Sequence, residues 1–347
     1  MVIDSYPKTK KRYLDHQNRI IDYKIIKELN EAHKWPIDFM CKVLKVSRAA
    51  YYKRSKRSNS DKDIENMMIL DTIKDIVASN NSLFGSIKMT YAINKKLDTN
   101  YNHKRIYRLM CINDIRSSFR RKKKYNYKRS IPEVTAENIL NRDFSTTRPN
   151  EKWCTDVTEF PIPNSDKKLY LSPIIDLYDD CIVHYEISKR NDNQLVFNTL
   201  DNAIIKENKA TPILHDDRGS QYTTQAFKAK LESYGIIHSM SRVSKCIDNG
   251  PCENVQGIIK DMMAVLYPNI QNEEELIEAI DKTIKYYNEE NPMKRFKGKT
   301  PSEVRKEAKY SKTPIIYPIP KNPGIEKFWA KIEKAKEKER QVILQNI

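Results

Sequence analysis

Glycine is scarce in this sequence, seven in 347 residues, and neither G-x-G-x-x-G nor G-x-x-x-x-G-K-[ST] occurs. A Gly-rich phosphate cradle is therefore not expected, which disfavours P-loop NTPase and Rossmann dehydrogenase chemistry. Long apolar runs are missing as well. None approaches the ~18 residues that cross a bilayer, and Met1 to Arg12 is polar and basic without a signal-peptide core. These absences lead to the expectation of a soluble cytoplasmic protein with no membrane partner. The six cysteines (Cys41, Cys111, Cys154, Cys181, Cys246, Cys252) form no C-x-x-C pair and the six histidines are scattered. That pattern suits reduced thiols and disfavours a structural zinc site.

Positive charge, in contrast, is abundant. Lys and Arg number 63 against 46 Asp and Glu, a formal net charge of +17, which favours a polyanionic partner. With 39% hydrophobic and 9% aromatic residues, the chain is expected to fold and not to behave as a disordered polycation. The charge is unevenly placed: residues 1–130 carry a net +18, residues 131–305 a net −6 and residues 306–347 a net +5. A basic front joined to an acidic middle suggests that one part holds nucleic acid and another acts on it.

The front half reads as short helices. Ile37, Met40, Cys41 and Leu44 have helical spacing, and Ser47 is a natural N-cap for a second helix bearing Arg48, Tyr51, Tyr52 and Lys53. Two short helices joined by a tight turn fit a helix-turn-helix, while an ordinary helical hairpin with a solvated basic face is the plainer alternative. A second helical unit opens on Ser60 and Asp63, a capping arrangement. Its apolar stripe is Ile64, Met67, Met68, Ile69, Ile73, Ile76 and Val77, and a helix over Ser86 to Ile93 follows. Asn102 can cap a third helix that turns Ile106, Leu109 and Met110 inward and Lys104, Arg105 and Arg108 outward, as a recognition helix would. Arg116 to Arg129, including Arg120, Arg121, Lys122, Lys123 and Lys124, holds eight bases in fourteen residues and no acid. Such an arm suits extended contact with phosphates.

From Trp153 the period shortens. Trp153 to Phe160, Leu169 to Ile175, Cys181 to Ile187, Pro212 to His215 and Gly235 to His238 read as strands, with helices at Gln194 to Ile205 and Thr224 to Tyr234. The order predicts an α/β layer around one mixed five-stranded sheet. Three carboxylates stand out within it: Asp156 inside the first strand, Asp217 just past the fourth, and Glu253 at the start of a helix. Phosphoryl transfer without a covalent protein intermediate uses two magnesium ions about 3.5–4 Å apart, and magnesium needs only a few hard oxygen ligands from the protein. Taken singly, Asp217 could merely cap a helix and Glu253 could be a first-turn acid.

Trp153-x-Thr-Asp-Val-Thr-Glu-Phe160, Tyr170 to Asp176, the His215 to Tyr222 turn, and Ser239 to Arg242 running into Asp248, Asn249 and Glu253 resemble the OrfB-type transposases of bacterial insertion sequences. The catalytic core of that family is similar to retroviral integrase, of ribonuclease-H-like fold. Its DD(35)E signature is matched by the 35 residues between Asp217 and Glu253; 60 separate Asp156 from Asp217. The resemblance implies metal binding and catalysis by Asp156, Asp217 and Glu253, with two Mg2+ ions for which Mn2+ can substitute. It also implies DNA contact at Lys260, seven residues past Glu253. Tyr286-Tyr287-Asn288 and Gly298 to Glu303 look like the family's closing motifs. Val255-Gln256 departs from the pattern, where an aromatic pair is usual, and so does Ser86 to Thr90.

The expected organisation is a helix-turn-helix-like unit over 1–57, a second helical DNA-binding unit over 58–115, a basic arm and linker over 116–149, an integrase core over 150–305 and a Pro-rich, charged helical tail over 306–347. The resemblance implies a DNA transposase that nicks an element end to free a 3′-hydroxyl and then joins it elsewhere, through a circular intermediate. Its partners would be the terminal inverted repeats and target DNA of a bacterial nucleoid, with a homo-oligomer assembled on them. The resemblance further implies, as a partner, a helix-turn-helix and leucine-zipper segment fused upstream by frameshifting; residues from Met1 show no such heptad stretch. The rival reading is a DNA-binding regulator that occupies element ends without cutting.

Overall fold

Capping residues and apolar spacing set the first part of the chain. The computed structural model describes residues 22–55, 60–118, 138–140, 143–241 and 249–319, and the chain divides into two units, residues 1–121 and 122–347. In the first unit, α1 (residues 22–33), α2 (Ile37–Val43) and α3 (Arg48–Ser55) bury Ile26, Met40, Cys41 and Tyr51 together. Ser47 Oγ accepts a long hydrogen bond from Ala50 N, 3.4 Å, at the start of α3, as its position foretold. Helices α4 (Asp61–Asn80), α5 (Ser86–Leu97) and α6 (His103–Ile112) follow. Ser60 and Asp63 form a reciprocal capping box, and the Asn102 side chain accepts from Lys104 N. The stripe of α4 is covered only over its later turns. Ile69 and Ile73 are fully buried, whereas Ile64, Met67 and Met68 are about half exposed.

The second unit is built on β1 (Lys152–Thr155), β2 (Thr158–Pro161), β3 (Lys168–Asp176), β4 (Ile182–Ser188), β5 (Ile213–Asp216) and β6 (Ile237–Met240). Its helices are α7 (Asn193–Lys206), α8 (Gln225–Ser233), α9 (Gly250–Leu266), α10 (Glu273–Glu289) and α11 (Pro301–Tyr310). Strand β3 runs antiparallel to β1, β2 and β4, while β5 is parallel to both β1 and β6. The expected first strand is present as two segments. β1 and β2 lie end to end along one side of β3 in a single register, Thr155 opposite Ile174 and Thr158 opposite Leu171. Six segments therefore occupy five lanes, the mixed α/β layout of a ribonuclease-H-like core. Helix α7 packs across β3 and β4, α8 on β6, α9 on β1 and α10 on β4. Trp153, Val196, Leu200, Phe227, Leu231 and Met240 fill the layer between the sheet and α7 and α8.

The closing motifs are fasteners. Asn288 accepts from Ile182 N and donates to Ile182 O, both at 3.0 Å, and the Tyr287 hydroxyl donates to Asp180 O at 3.1 Å. Thr300 and Glu303 form the capping box of α11. Packing continues past residue 305, since Tyr317 is buried with Tyr178, Phe296, Val304 and Ala308.

Beneath the β3–β4 turn, Arg305 donates to Asp176 (3.1 Å) and Asp179 (2.8 Å), both fully buried, and to Asn150 (2.8 Å), and lies 3.1 Å from Glu207. Burial, and then the neighbouring Asp176, push Asp179 up to about 8, with Arg305 opposing. Replacing Arg305 by Met strands both aspartates without their cation. Urea unfolding is expected to show a loss of about 3–5 kcal/mol. An unchanged midpoint would mean that the two acids are held neutral and need no guanidinium.

Candidate active site

The sheet itself aligns the two aspartates. β1 and β5 lie side by side in parallel with Cys154 paired to His215, so two residues farther along each chain Asp156 stands level with Asp217. Asp156 is not inside the strand, as its sequence context suggested. It follows Thr155, the last residue of β1, and the ladder resumes only at Thr158. Asp217 likewise follows the last residue of β5. Side chains at the carboxyl ends of parallel strands open into the crevice where α/β sheets commonly bind ligands.

Glu253 comes from the first turn of α9, which begins with Pro251 near its N-terminus and packs on β1. The front of that helix is tied to the strand carrying Asp156. Asn249 Nδ2 donates to Thr155 O at 3.1 Å, and Gln256 Nε2 donates to Asp156 O at 2.8 Å. Asp217 is oriented by its own turn, with Oδ1 accepting from Gly219 N at 2.8 Å. A Cβ on Gly219 would lie 3.0 Å from that same oxygen and 3.0 Å from Gln221 Oε1, so any larger residue would have to push Asp217 Oδ1 aside by a few tenths of an ångström. Behind the site, buried His215 sits 2.9 Å from Ser239 Oγ and 3.2 Å from Ser241 Oγ, and His238 contacts Asp216 at 2.6 Å.

Electrostatically the site is short of positive charge. Burial raises Asp156 well above the usual carboxylate range, and Asp217 and Glu253 raise it further, against a backbone hydrogen bond from Val157 and the charge of Lys260. Burial also raises Asp217, opposed by the Gly219 N–H. Glu253 is raised by burial and then by Asp217. Among the described residues none of the three carboxylates makes an ion pair. Nor are any three His, Cys, Asp or Glu side chains there grouped closely enough to hold a metal ion. What the chain offers is three hard oxygen donors, two at the carboxyl ends of β1 and β5 and one on α9, a set suited to Mg2+ or Mn2+ and poorly suited to soft metals.

Lys260 lies on the helix that carries Glu253, its Nζ 5.2 Å from the Phe160 ring centroid. The other expected DNA contacts are divided. Lys104 and Arg108 are exposed on α6. Arg105 is committed within the first unit, donating to Glu65 at 2.7 Å and Asn66 at 2.9 Å and standing 5.1 Å over the Tyr101 ring. Arg48 is exposed at the start of α3, 3.8 Å from Asp38. Arg120, Arg121, Lys122, Lys123 and Lys124 lie outside the described residues, as do Asp248 and residues 320–347. Sequence reasoning did not find the roles of Asn249 and Gln256. Asn249 was readable as a helix start before Gly250-Pro251, whereas Gln256 carried no signal beyond its departure from the expected aromatic.

The integrase core domain family matches residues 146–246, spanning both aspartates, and an HTH-like domain family matches residues 64–123, the region of α4 to α6. InsK of insertion sequence element IS150 from Escherichia coli K12 is 35% identical over 81% of this chain and 97% of its own length. The transposase for insertion sequence element IS904 of Lactococcus lactis is 28% identical over 72% of this chain and 98% of its own length. Among solved structures, the HTLV-2 integrase catalytic core domain in complex with magnesium aligns with a TM-score of 0.37 and 25% identity, over 46% of this chain and 97% of that one. Strand order and family match together define an integrase-type core, the scaffold of polynucleotidyl transferases. The chain belongs to the DNA transposases of insertion sequences.

Gly219→Ala tests the turn that holds Asp217. With Asp217 Oδ1 displaced by a few tenths of an ångström, strand transfer is expected to fall about ten- to a hundredfold while the melting temperature stays close to wild type. Unchanged strand transfer would show that the turn does not set the carboxylate.

Proposed function

We propose that this transposase nicks and joins DNA at Asp156, Asp217 and Glu253, with two divalent ions held between those carboxylates. The observation that carries the reading is the level placement of Asp156 and Asp217 at the ends of adjacent parallel strands, with Glu253 near enough to raise Asp156 and, among the described residues, no ion pair to any of the three. Bound Mg2+, or Mn2+ in its place, would supply Lewis acidity to the attacking and leaving oxygens of a phosphodiester. The chain's own part is to hold the donors. The Gly219 N–H fixes one oxygen of Asp217, the Val157 N–H restrains Asp156, and the first turn of α9 presents Glu253. Because burial raises all three carboxylates, with repulsion adding to it at Asp156 and Glu253, loading the site with a cation would release whatever protons they retain. Water at an element end is the first nucleophile, freeing a 3′-hydroxyl; that hydroxyl is the second, attacking another phosphodiester in line. Both are transfers in which positioning and charge compensation lower the barrier.

Lys260 then serves as a phosphate contact beside the reacting bond. In the first unit Lys104 and Arg108 on α6, with Arg48 on α3, face DNA, and the Arg120 to Lys124 arm tracks its backbone. Arg105 instead holds α6 to α4. The partners are the terminal repeats and target DNA of the nucleoid, with copies of the chain assembled on them, and the five-part division of the chain follows these roles. No helix among the described residues is long and apolar enough to cross a membrane.

A joining assay on the element's own ends tests this reading. Asp156→Asn, Asp217→Asn and Glu253→Gln should each abolish nicking and joining, as should chelation of the metal, while binding to the ends is retained. Full strand transfer by any one of the three would overturn the assignment.

A further inference from the structure

The interruption between β1 and β2 has a cause that lies on β3. The single register that pairs Thr155 with Ile174 and Thr158 with Leu171 puts Asp156 opposite Pro173. Ladder hydrogen bonds on this side of β3 come from alternate residues. Leu177 N donates to Lys152 O and Lys167 O accepts from Ile162 N, each at 3.0 Å. Counting by two from either end makes Asp156 and Pro173 a pair that should exchange two such bonds. Proline has no N–H, so the donor that would serve the Asp156 carbonyl does not exist. Pro173 O is taken by Thr155 Oγ1 at 2.9 Å. The Asp156 carbonyl accepts instead from Gln256 Nε2 at 2.8 Å, across 100 residues of sequence. Gln256 is 8% exposed and sits on α9 three residues past Glu253.

We infer that Gln256 is a positioning residue that replaces the donor missing at Pro173, and thereby locks the strand end bearing Asp156 to the helix bearing Glu253. A freed carbonyl in a β lane is normally satisfied by the next strand; here it is satisfied by the element that carries another member of the triad. One amide thus fixes the spacing of two carboxylates that come from elements otherwise independent in sequence. Asn249 makes a parallel tie to Thr155 O, so α9 grips two successive carbonyls of the strand end. Gln256 stands where the wider family pattern carries an aromatic, and its partner is a backbone atom. The side chain thus acts through Asp156 and not on the DNA.

The inference rests on the catalytic reading above, and a paired substitution separates the two. Gln256→Met keeps the length and apolar packing of the side chain and removes the donor. It is expected to lower strand transfer about tenfold and to raise the Mg2+ concentration for half-maximal rate, with end binding and melting temperature near wild type. Pro173→Ala restores an N–H opposite Asp156. In the Pro173→Ala, Gln256→Met double variant that amide should be protected from hydrogen exchange and most of the lost rate should return. A merely structural contribution from Gln256 predicts no rescue. Wild-type rate and Mg2+ dependence in Gln256→Met, or a double variant no better than Gln256→Met alone, would overturn the inference. Either result could stand while the triad variants remain inactive, in which case the catalytic reading survives. Strand transfer by the triad variants would remove the catalytic reading itself.

Discussion

Strand β1 is where the sheet changes direction, antiparallel to β3 on one side and parallel to β5 on the other. Everything chemical in the second unit depends on that parallel pairing. One residue past the Cys154–His215 pair the strands end together, and the aspartates that follow them come out level. Had β5 joined in the antiparallel sense, Asp217 would lie at the opposite end of the sheet from Asp156. The antiparallel half, β1 to β4, and the helices α7 and α8 fill a core around Trp153 and Phe227 that keeps this lane rigid. Helix α9 then supplies the third carboxylate from outside the sheet.

The site costs stability, and the neighbouring structure offsets it. Three carboxylates stand at the carboxyl ends of β1 and β5 and on α9, and among the described residues none has an ion-pair partner. The sheet around them is anchored by Arg305 between Asp176 and Asp179, by Asn288 on Ile182, and by the paired serines on His215. The acidic middle of the chain thus contains two kinds of acid. Asp176 and Asp179 have their cation built in. Asp156, Asp217 and Glu253 make no ion pair among the described residues, and the proposed metal-binding role rests on that contrast.

Much of this could be read from sequence because it is local. Periodic apolar residues located β3 to β6 within a residue or two, Ser60 with Asp63 marked a helix start, and the spacing of the acids matched a family motif. The break at Asp156 was not readable, because its cause, Pro173, lies on another strand and acts only through register. Arg105 was unreadable for the same reason: its helix face looks free until Glu65, 40 residues earlier, is folded against it. Gln256 illustrates the limit from the other side. A polar residue in place of an aromatic reads as a deviation, and its use is apparent only when the missing N–H it replaces is located.

In the proposed mechanism Asp156, Asp217 and Glu253 are kept together, despite burial and repulsion, for the sake of bound divalent ions. Calorimetric melting with and without Mn2+ measures that repulsion without recourse to DNA or activity. Wild-type protein should melt several degrees higher when saturated with Mn2+. A triple variant, Asp156→Asn, Asp217→Asn and Glu253→Gln, should melt higher than wild type in the absence of metal and gain nothing from it. A wild-type melting temperature indifferent to Mn2+, or a triple variant that responds as wild type does, would contradict it.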